Sequence, residues 1–148
     1  MGGYTQNITV ASSASALVTN NIFRGPQLYN NCILRNNIAT GLNGNGNDAI
    51  TLTNTTMEHN IAASSQYGSS NGNMDNIYMN SVFVNTGTSD GKFKLKAGSV
   101  AIGAGTGGTD SGIFGGDYPY ILSGLPEVPA IWYMNVNGSS VTVKAKSH

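Results

Sequence analysis

The sequence predicts an all-β fold in which short strands wind into stacked coils, and three observations carry that expectation. First, four stretches read alike when aligned on an asparagine: Asn20-Asn21-Ile22-Phe23, Asn31-Cys32-Ile33-Leu34, Asn54-Thr55-Thr56-Met57 and Asn80-Ser81-Val82-Phe83. Each runs Asn, a small or polar residue, usually a β-branched residue, then a large apolar one. A repeat this short cannot bury its own apolar face and must stack on its neighbours. Second, only 9% of residues are charged, against roughly 25% in ordinary soluble domains. Asparagines (19) and glycines (20) fill the difference, and these are the residues that turn corners at positive φ. Third, residues 17–85 show no 3.6-residue apolar period, and Asn, Thr and Gly are poor helix formers.

Residues 1–16 are rich in Ser, Ala, Gly and Thr, with one strand expected at Ile8-Thr-Val10. From Leu17 to Asn85 the Asn-to-Asn steps are 11 (20 to 31), 23 (31 to 54) and 26 (54 to 80) residues. The two long steps each suit a full coil of three short strands. The 11-residue step is too short, so either the first two copies lie on different sides of one turn or the first coil is shortened. Gly/Asn/Ser connectors at 40–47 and 64–73 separate the copies.

On this reading Asn31, Asn54 and Asn80 stack in a column at a spacing of about 4.8 Å, amide bonded to amide. Phe23, Leu34, Met57 and Phe83 point inward, with Cys32, Thr55 and Ser81 beside them. Arg35 and Glu58 become outward neighbours and form an exposed ion pair, a contact of about 0–1 kcal/mol.

Asp90-Gly-Lys-Phe-Lys-Leu-Lys96 alternates charged and apolar residues and reads as a half-buried strand. Phe93 and Leu95 would face in. Lys92, Lys94 and Lys96 would face out, as a solvated row that blunts an edge or as a strip for polyanions. Ala97-Gly-Ser-Val-Ala-Ile-Gly-Ala-Gly105 follows, then Gly107-Gly-Thr-Asp-Ser-Gly-Ile-Phe-Gly-Gly116. This run resembles the closing coil of bacterial right-handed parallel β-helix proteins of the pectate-lyase-like superfamily. Their pattern is Asp-x-x-Phe/Tyr-x-Leu-x-x-Gly-Ser-Pro-Ala-Ile-Gly-Ala-Gly followed by Asp-x-Gly-x-Phe-Gly-Gly. The chain matches at Asp90, Phe93, Leu95, Gly98, Ser99, Ala101, Ile102, Gly103, Ala104, Gly105, Asp110, Gly112, Phe114, Gly115 and Gly116, and departs at Val100, where the family has Pro. The resemblance spans residues 17–116 and implies a fold more than an activity, because one fold hosts many functions.

Residues 117–130 hold three of the four prolines and read as a stiff extended strap. Ile131–Val136 and Ser139–Lys146 flank Asn137-Gly138, a strong hairpin turn signal. That turn would pair Val136 with Ser139, Met134 with Val141 and Trp132 with Val143, and the hairpin would cover an end or flank of the stack.

Composition excludes several classes of function. Net charge is zero and seven basic residues are scattered along the chain, too few for a nucleic-acid footprint. No run approaches the roughly 18 apolar residues of a membrane span. The single Cys32 allows neither an internal disulfide nor a cysteine zinc site, and no cofactor or metal is expected. Lyases and hydrolases of the resembled family need clustered carboxylates, yet no acidic pair occurs in the linear sequence. The acid and base candidates are Glu58, His59, Asp48 and Asp75. Each has a structural alternative: the ion pair for Glu58, turn residues for Asp48 and Asp75, and an isolated histidine for His59. Tyr29, Tyr67 and Tyr78 are the candidates for stacking on carbohydrate.

The expectation is therefore an all-β, right-handed parallel β-helix (solenoid) of about four coils over residues 1–116, a strap over 117–130 and a C-terminal β-hairpin over 131–148. The implied function is a non-catalytic, polysaccharide-associated portion of a secreted or cell-surface protein. Two alternatives stay open. One is a fragment of a polysaccharide lyase or glycoside hydrolase whose active coils lie elsewhere. The other is a module that self-associates through an uncapped N-terminal coil. Met1-Gly-Gly-Tyr-Thr-Gln6 has no basic n-region and no apolar h-region, so for an extracellular role the expectation is that an export signal was removed or lies in a longer chain.

Overall fold

A computed structural model describes residues 6–9, 11, 14–25, 27–41, 50–122, 130–137 and 140–146. Nine short strands form three three-stranded sheets. The first holds β1 (Gln6–Thr9), β4 (Gln27–Asn30) and β7 (Ile50–Thr53). The second holds β2 (Ala16–Thr19), β5 (Cys32–Arg35) and β8 (Thr56–Glu58). The third holds β3 (Ile22–Phe23), β6 (Ile38–Ala39) and β9 (Ile61–Ala62). Every pairing in these sheets is parallel. Consecutive strands lie in different sheets, and each strand pairs with the one three places on. The chain thus visits the sheets in the same order three times, an all-β path compatible with a parallel β-helix. An isolated parallel bridge, Ile61 to Met74, adds a further contact of the same sense.

Two of the four sequence repeats lie in register. Ile33 faces Thr56, Leu34 faces Met57 and Arg35 faces Glu58. Asn31 and Asn54 both turn at left-handed φ (55° and 48°), and the Asn31 N–H donates to the Thr53 carbonyl at 3.1 Å. The first copy is offset: the neighbour of Leu34 in the first circuit is Val18, and Asn20 sits at the corner between β2 and β3. Asn20 and Asn31 therefore occupy different corners, which explains the 11-residue step. The fourth copy is not a strand. Met79–Val82 is a single helical turn, α1, because the Tyr78 carbonyl accepts from both the N–H and the hydroxyl of Ser81 (2.9 and 2.7 Å), a local bond that competes with extended backbone. Asn80 is consequently absent from any column, and Ser81 is exposed.

The amide column exists, but at another corner: the expected Asn31 and Asn54 sit between the first and second sheets, whereas the bonded amides follow the second sheet. Its members are Asn21, Asn37, Asn60 and Asn73. Each Oδ1 accepts from the side chain of the preceding member: Asn21 Nδ2 to Asn37 Oδ1 at 3.2 Å, Asn37 to Asn60 at 2.9 Å, Asn60 to Asn73 at 3.1 Å. The same Oδ1 also takes the backbone N–H of that preceding asparagine. The second Nδ2 hydrogen reaches a carbonyl of the circuit before: Val18 from Asn37, Leu34 from Asn60, Met57 from Asn73. Asn37 and Asn60 are wholly buried, so each bond counts in a medium where an unpaired amide costs roughly 1–3 kcal/mol.

Strand alternation divides the apolar side chains into two clusters. Val18, Phe23, Tyr29, Cys32, Leu34, Ala39, Ala62 and Tyr67 fill the inside, with Met57 packed against them. The Phe23 and Tyr29 rings meet at 5.5 Å between centroids. On the opposite face of the third sheet, Ile22, Ile38 and Ile61 pack with Val82, Phe83, Ala101, Phe93 and Leu95. The expected strand at 90–96 is instead a 3-10 turn, Gly91–Phe93, whose first N–H is capped by the Asp90 carboxylate at 2.9 Å. Phe93 and Leu95 still turn inward. The lysines do not form one row: Lys94 and Lys96 are exposed, while Lys92 lies half-buried with Nζ 5.2 Å from the centre of the Phe93 ring.

Beyond residue 129 the chain forms an antiparallel pair, β10 (Ala130–Asn137) and β11 (Ser140–Lys146). Asn137 faces Ser140, Val136 faces Val141 and Met134 faces Val143. The register therefore differs by two residues from the one an Asn137-Gly138 turn would set, and an irregularity between Ile131 and Tyr133 takes Trp132 out of the pairing.

Candidate binding groove

A return segment, residues 99–116, shapes a groove. It follows the corner residues that precede the amide column: Asn20, Asn36 and His59, all at left-handed φ (56°, 57° and 54°). His59 Nδ1 lies 2.9 Å from the Ala104 carbonyl, so that nitrogen carries the proton and donates. Asn36 Oδ1 accepts from the N–H and hydroxyl of Thr106 at 2.9 and 3.1 Å. The Gly112 N–H donates to the Asn36 carbonyl at 2.8 Å, and Asn20 Nδ2 reaches the carbonyls of Gly112 and Asp110 at 3.2 and 3.4 Å. Small residues permit this approach: a Cβ on Gly112 would lie 2.9 Å from Ile38 Cδ1 and one on Gly105 3.2 Å from Asn36 Cγ. The Gly/Ala-rich sequence of this segment is thus an adaptation to lying flat against a corner. Among the described residues it contributes no strand.

Between this segment and the outer face of the second sheet lies a groove of about 540 Å³, within the usual range for small-ligand sites. Leu17, Thr19 and Arg35 form the sheet wall and Asn20 and Asn36 the corner. Thr106, Thr109, Gly115, Gly116, Asp117 and Tyr118 form the other wall. Tyr118 stands 96% exposed and Leu17 56%. Arg35 is held from below: its Nη2 and Nε lie 2.9 and 3.0 Å from Glu58 Oε2, with both side chains about one-third exposed. The groove therefore offers one aromatic ring, one apolar side chain, threonine hydroxyls, amides and one charge of each sign. A second hollow of about 420 Å³ is lined by Ala63, Asn76, Ile77, Tyr78, Met79 and Asn80.

The residues singled out in the sequence are placed as follows. Tyr29 and Tyr67 are buried (1% and 4% exposed), so neither presents a ring face outward; Tyr78 does, at 71%. Burial lifts both buried phenols well above their ordinary pKa, with Cys32 adding to the effect at Tyr29, and Tyr29 and Asp75 adding at Tyr67. Asp75 accepts the backbone N–H groups of Tyr67 (3.0 Å) and Gly68 (2.7 Å) and so closes a loop. Glu58 is committed to Arg35 and His59 to the Ala104 carbonyl. Asp48 lies outside the described residues. Among the described residues no three His, Cys, Asp or Glu side chains gather to hold a metal, and no helix is long and apolar enough to cross a membrane.

Sequence reasoning passed over Tyr118, Asp117, Thr106, Thr109, Leu17 and Thr19. The only local signal was an aromatic flanked by Asp117 and Pro119, and it carries no periodicity to say which way the ring points. A comparison with protein-family models, curated proteins and solved structures finds no match to this chain.

Proposed function

We propose that this chain is a non-catalytic, polysaccharide-associated portion of a secreted or cell-surface protein, built as a right-handed parallel β-helix of about four coils related to the pectate-lyase-like superfamily. Its C-terminal hairpin would pack on or beside the stack. Three strand circuits, the Asn73 rung and the Ile61–Met74 bridge support the coil count. The observation that carries the functional reading is Tyr118, an almost fully exposed ring at a groove lined by hydroxyls, amides, Arg35 and Asp117. A sugar ring presents an apolar face and a rim of hydroxyls. An outward tyrosine supplies a flat apolar contact with a polar tip, and the surrounding side chains supply donors and acceptors for the rim.

The geometry favours binding over catalysis. Glu58 is engaged by Arg35, which leaves Asp117 as the one carboxylate among the described groove-lining residues, where acid/base cleavage of a sugar needs two. Titration calorimetry against neutral and uronate-containing oligosaccharides tests the reading. Binding should weaken about tenfold or more in Tyr118→Ala, the size of an aromatic anchor, with thermal stability unchanged. Absence of binding to any glycan would refute the proposal. Release of unsaturated, ultraviolet-absorbing product from a uronate polymer would instead support the enzyme alternative.

A further inference from the structure

We propose that the N-terminal end of the strand stack is a self-complementary interface, and that two copies of this chain meet there head to head. The two ends of the amide column are finished differently. At the Asn73 end the column is closed by its own turn: the Ser70 carbonyl accepts both the N–H and the Nδ2 of Asn73, at 3.0 and 2.7 Å. Tyr67 is buried in the inner cluster beside it, and Asp75 ties down that loop. At the Asn21 end the rule that holds for Asn37, Asn60 and Asn73 stops. Their Oδ1 atoms each accept two donors from the preceding asparagine, whereas Asn21 Oδ1 accepts none among the described residues. Its second Nδ2 hydrogen, lacking an earlier circuit to reach, folds back on the Thr19 carbonyl at 2.9 Å.

The backbone repeats the asymmetry. Among the described residues β2 is an edge strand. The N–H groups of Ala16 and Asn20 bond to Asn31 and Arg35, so by the alternation of a parallel ladder Leu17 and Thr19 point their backbone groups to the free side. Such an edge is a template for another strand, and native proteins usually blunt it with Lys or Pro. Here residues 14–21 read Ala-Ser-Ala-Leu-Val-Thr-Asn-Asn, with neither and with no charge at all.

A second copy fits this end for two reasons. A neutral edge gives an oppositely charged partner nothing to hold and lets two identical edges approach without repulsion. An asparagine that carries both a free acceptor and a donor bonded only within its own strand is complementary to itself across a two-fold axis. Head-to-tail growth would require the Ser70–Asn73 turn to open, so the contact closes at two copies rather than running on as a filament.

Light scattering of the full chain from micromolar to millimolar concentration reads this directly. The expected result is a species of twice the 15.4 kDa chain mass. Thr19→Pro removes one free-edge donor while leaving the bonds to β5 in place. It should return the monomer mass with an unchanged circular dichroism spectrum. Nitroxide labels keep the question decidable if that variant does not fold, and the buried Cys32 leaves an introduced cysteine as the reactive one. Labels at Ala14→Cys should lie close across the dimer, and those at Ser69→Cys far apart. A monomer throughout, a mass that climbs without limit, a folded Thr19→Pro chain that still dimerises, or close labels at position 69 would each overturn the proposal.

Discussion

Replacing Asn60 by leucine tests the central physical claim about this fold, that a buried column of amides holds successive circuits together. Asn60 is fully buried. Its side chain makes four bonds: Nδ2 to the Leu34 carbonyl (2.9 Å) and to Asn73 Oδ1 (3.1 Å), and Oδ1 from the Asn37 N–H (3.0 Å) and Asn37 Nδ2 (2.9 Å). Leucine has the same branched shape and is larger, so no cavity opens. What remains is a carbonyl, a backbone N–H and an amide hydrogen without partners. Asn73 Oδ1 keeps the Asn60 backbone N–H and is only partly deprived. Three orphaned buried groups at about 1–3 kcal/mol each, less about 1.5–3 kcal/mol for burying the apolar side chain, leave a net loss centred on about 4 kcal/mol. That is a large share of the roughly 5–15 kcal/mol that stabilises a domain. Urea unfolding should therefore show a much lower midpoint for Asn60→Leu. Asn80→Leu, at an exposed site bonded only to groups near the surface, should stay within about 0.5 kcal/mol of the parent. A double-mutant cycle with Asn37 should give a coupling of about 1 kcal/mol or more, since the pair shares two bonds. An Asn60→Leu chain within about 0.5 kcal/mol of the parent would refute the reasoning, because it would mean these amides are not paying a desolvation cost that their bonds offset.

Gly112→Ala addresses the return segment. Its φ of 85° is unfavourable for alanine, by about 1–2 kcal/mol, and the added methyl would press on Ile38. Hydrogen exchange at the Thr106 and Gly112 amides should accelerate while the sheet amides of β5 and β6 stay protected. High pH tests the two buried phenols. Tyr29 and Tyr67 keep their protons in the folded chain to higher pH than in the unfolded chain, where tyrosine titrates near 10. Above that value the unfolded state binds fewer protons, so stability is intact below about pH 10 and falls as pH rises, by up to about 1.4 kcal/mol per pH unit per tyrosine. Urea midpoints measured across that range should drop steeply. Tyr67→Phe should remove its share of the slope with little or no loss of stability at neutral pH, because the Tyr67 hydroxyl is buried without a hydrogen-bond partner among the described residues.

The repeat and the composition were sufficient to anticipate an all-β stack held by asparagines. The alternation Cys32-Ile33-Leu34-Arg35 against Thr55-Thr56-Met57-Glu58 was enough to bring Arg35 onto Glu58. Local chemistry reaches that far because the 23-residue separation repeats, and equal spacing along the chain becomes adjacency in space. It could not say which corner carries the column, since the alignment pointed to Asn31, Asn54 and Asn80, nor which asparagine of a pair at the true corner turns the backbone and which enters the column. Asn20-Asn21 and Asn36-Asn37 are the same two letters, and the division of labour follows only from which side chain meets the next circuit. At the next corner the pair reads His59-Asn60, and at the last Gly72-Asn73, so the alignable residue was the second one throughout.

The groove was beyond sequence reasoning for a related reason. It joins Arg35 to Tyr118, 83 positions apart by number (118 − 35), and what joins them is the return segment lying along Asn20, Asn36 and His59. Sequence determined that this chain would make short strands with amide corners, because backbone conformation and alternation are local properties of residues. Tertiary structure alone decided that Tyr29 and Tyr67 would be interior and Tyr118 exposed. An aromatic ring is apolar enough to bury and polar enough to face water, and only the neighbours that arrive from elsewhere in the chain settle which.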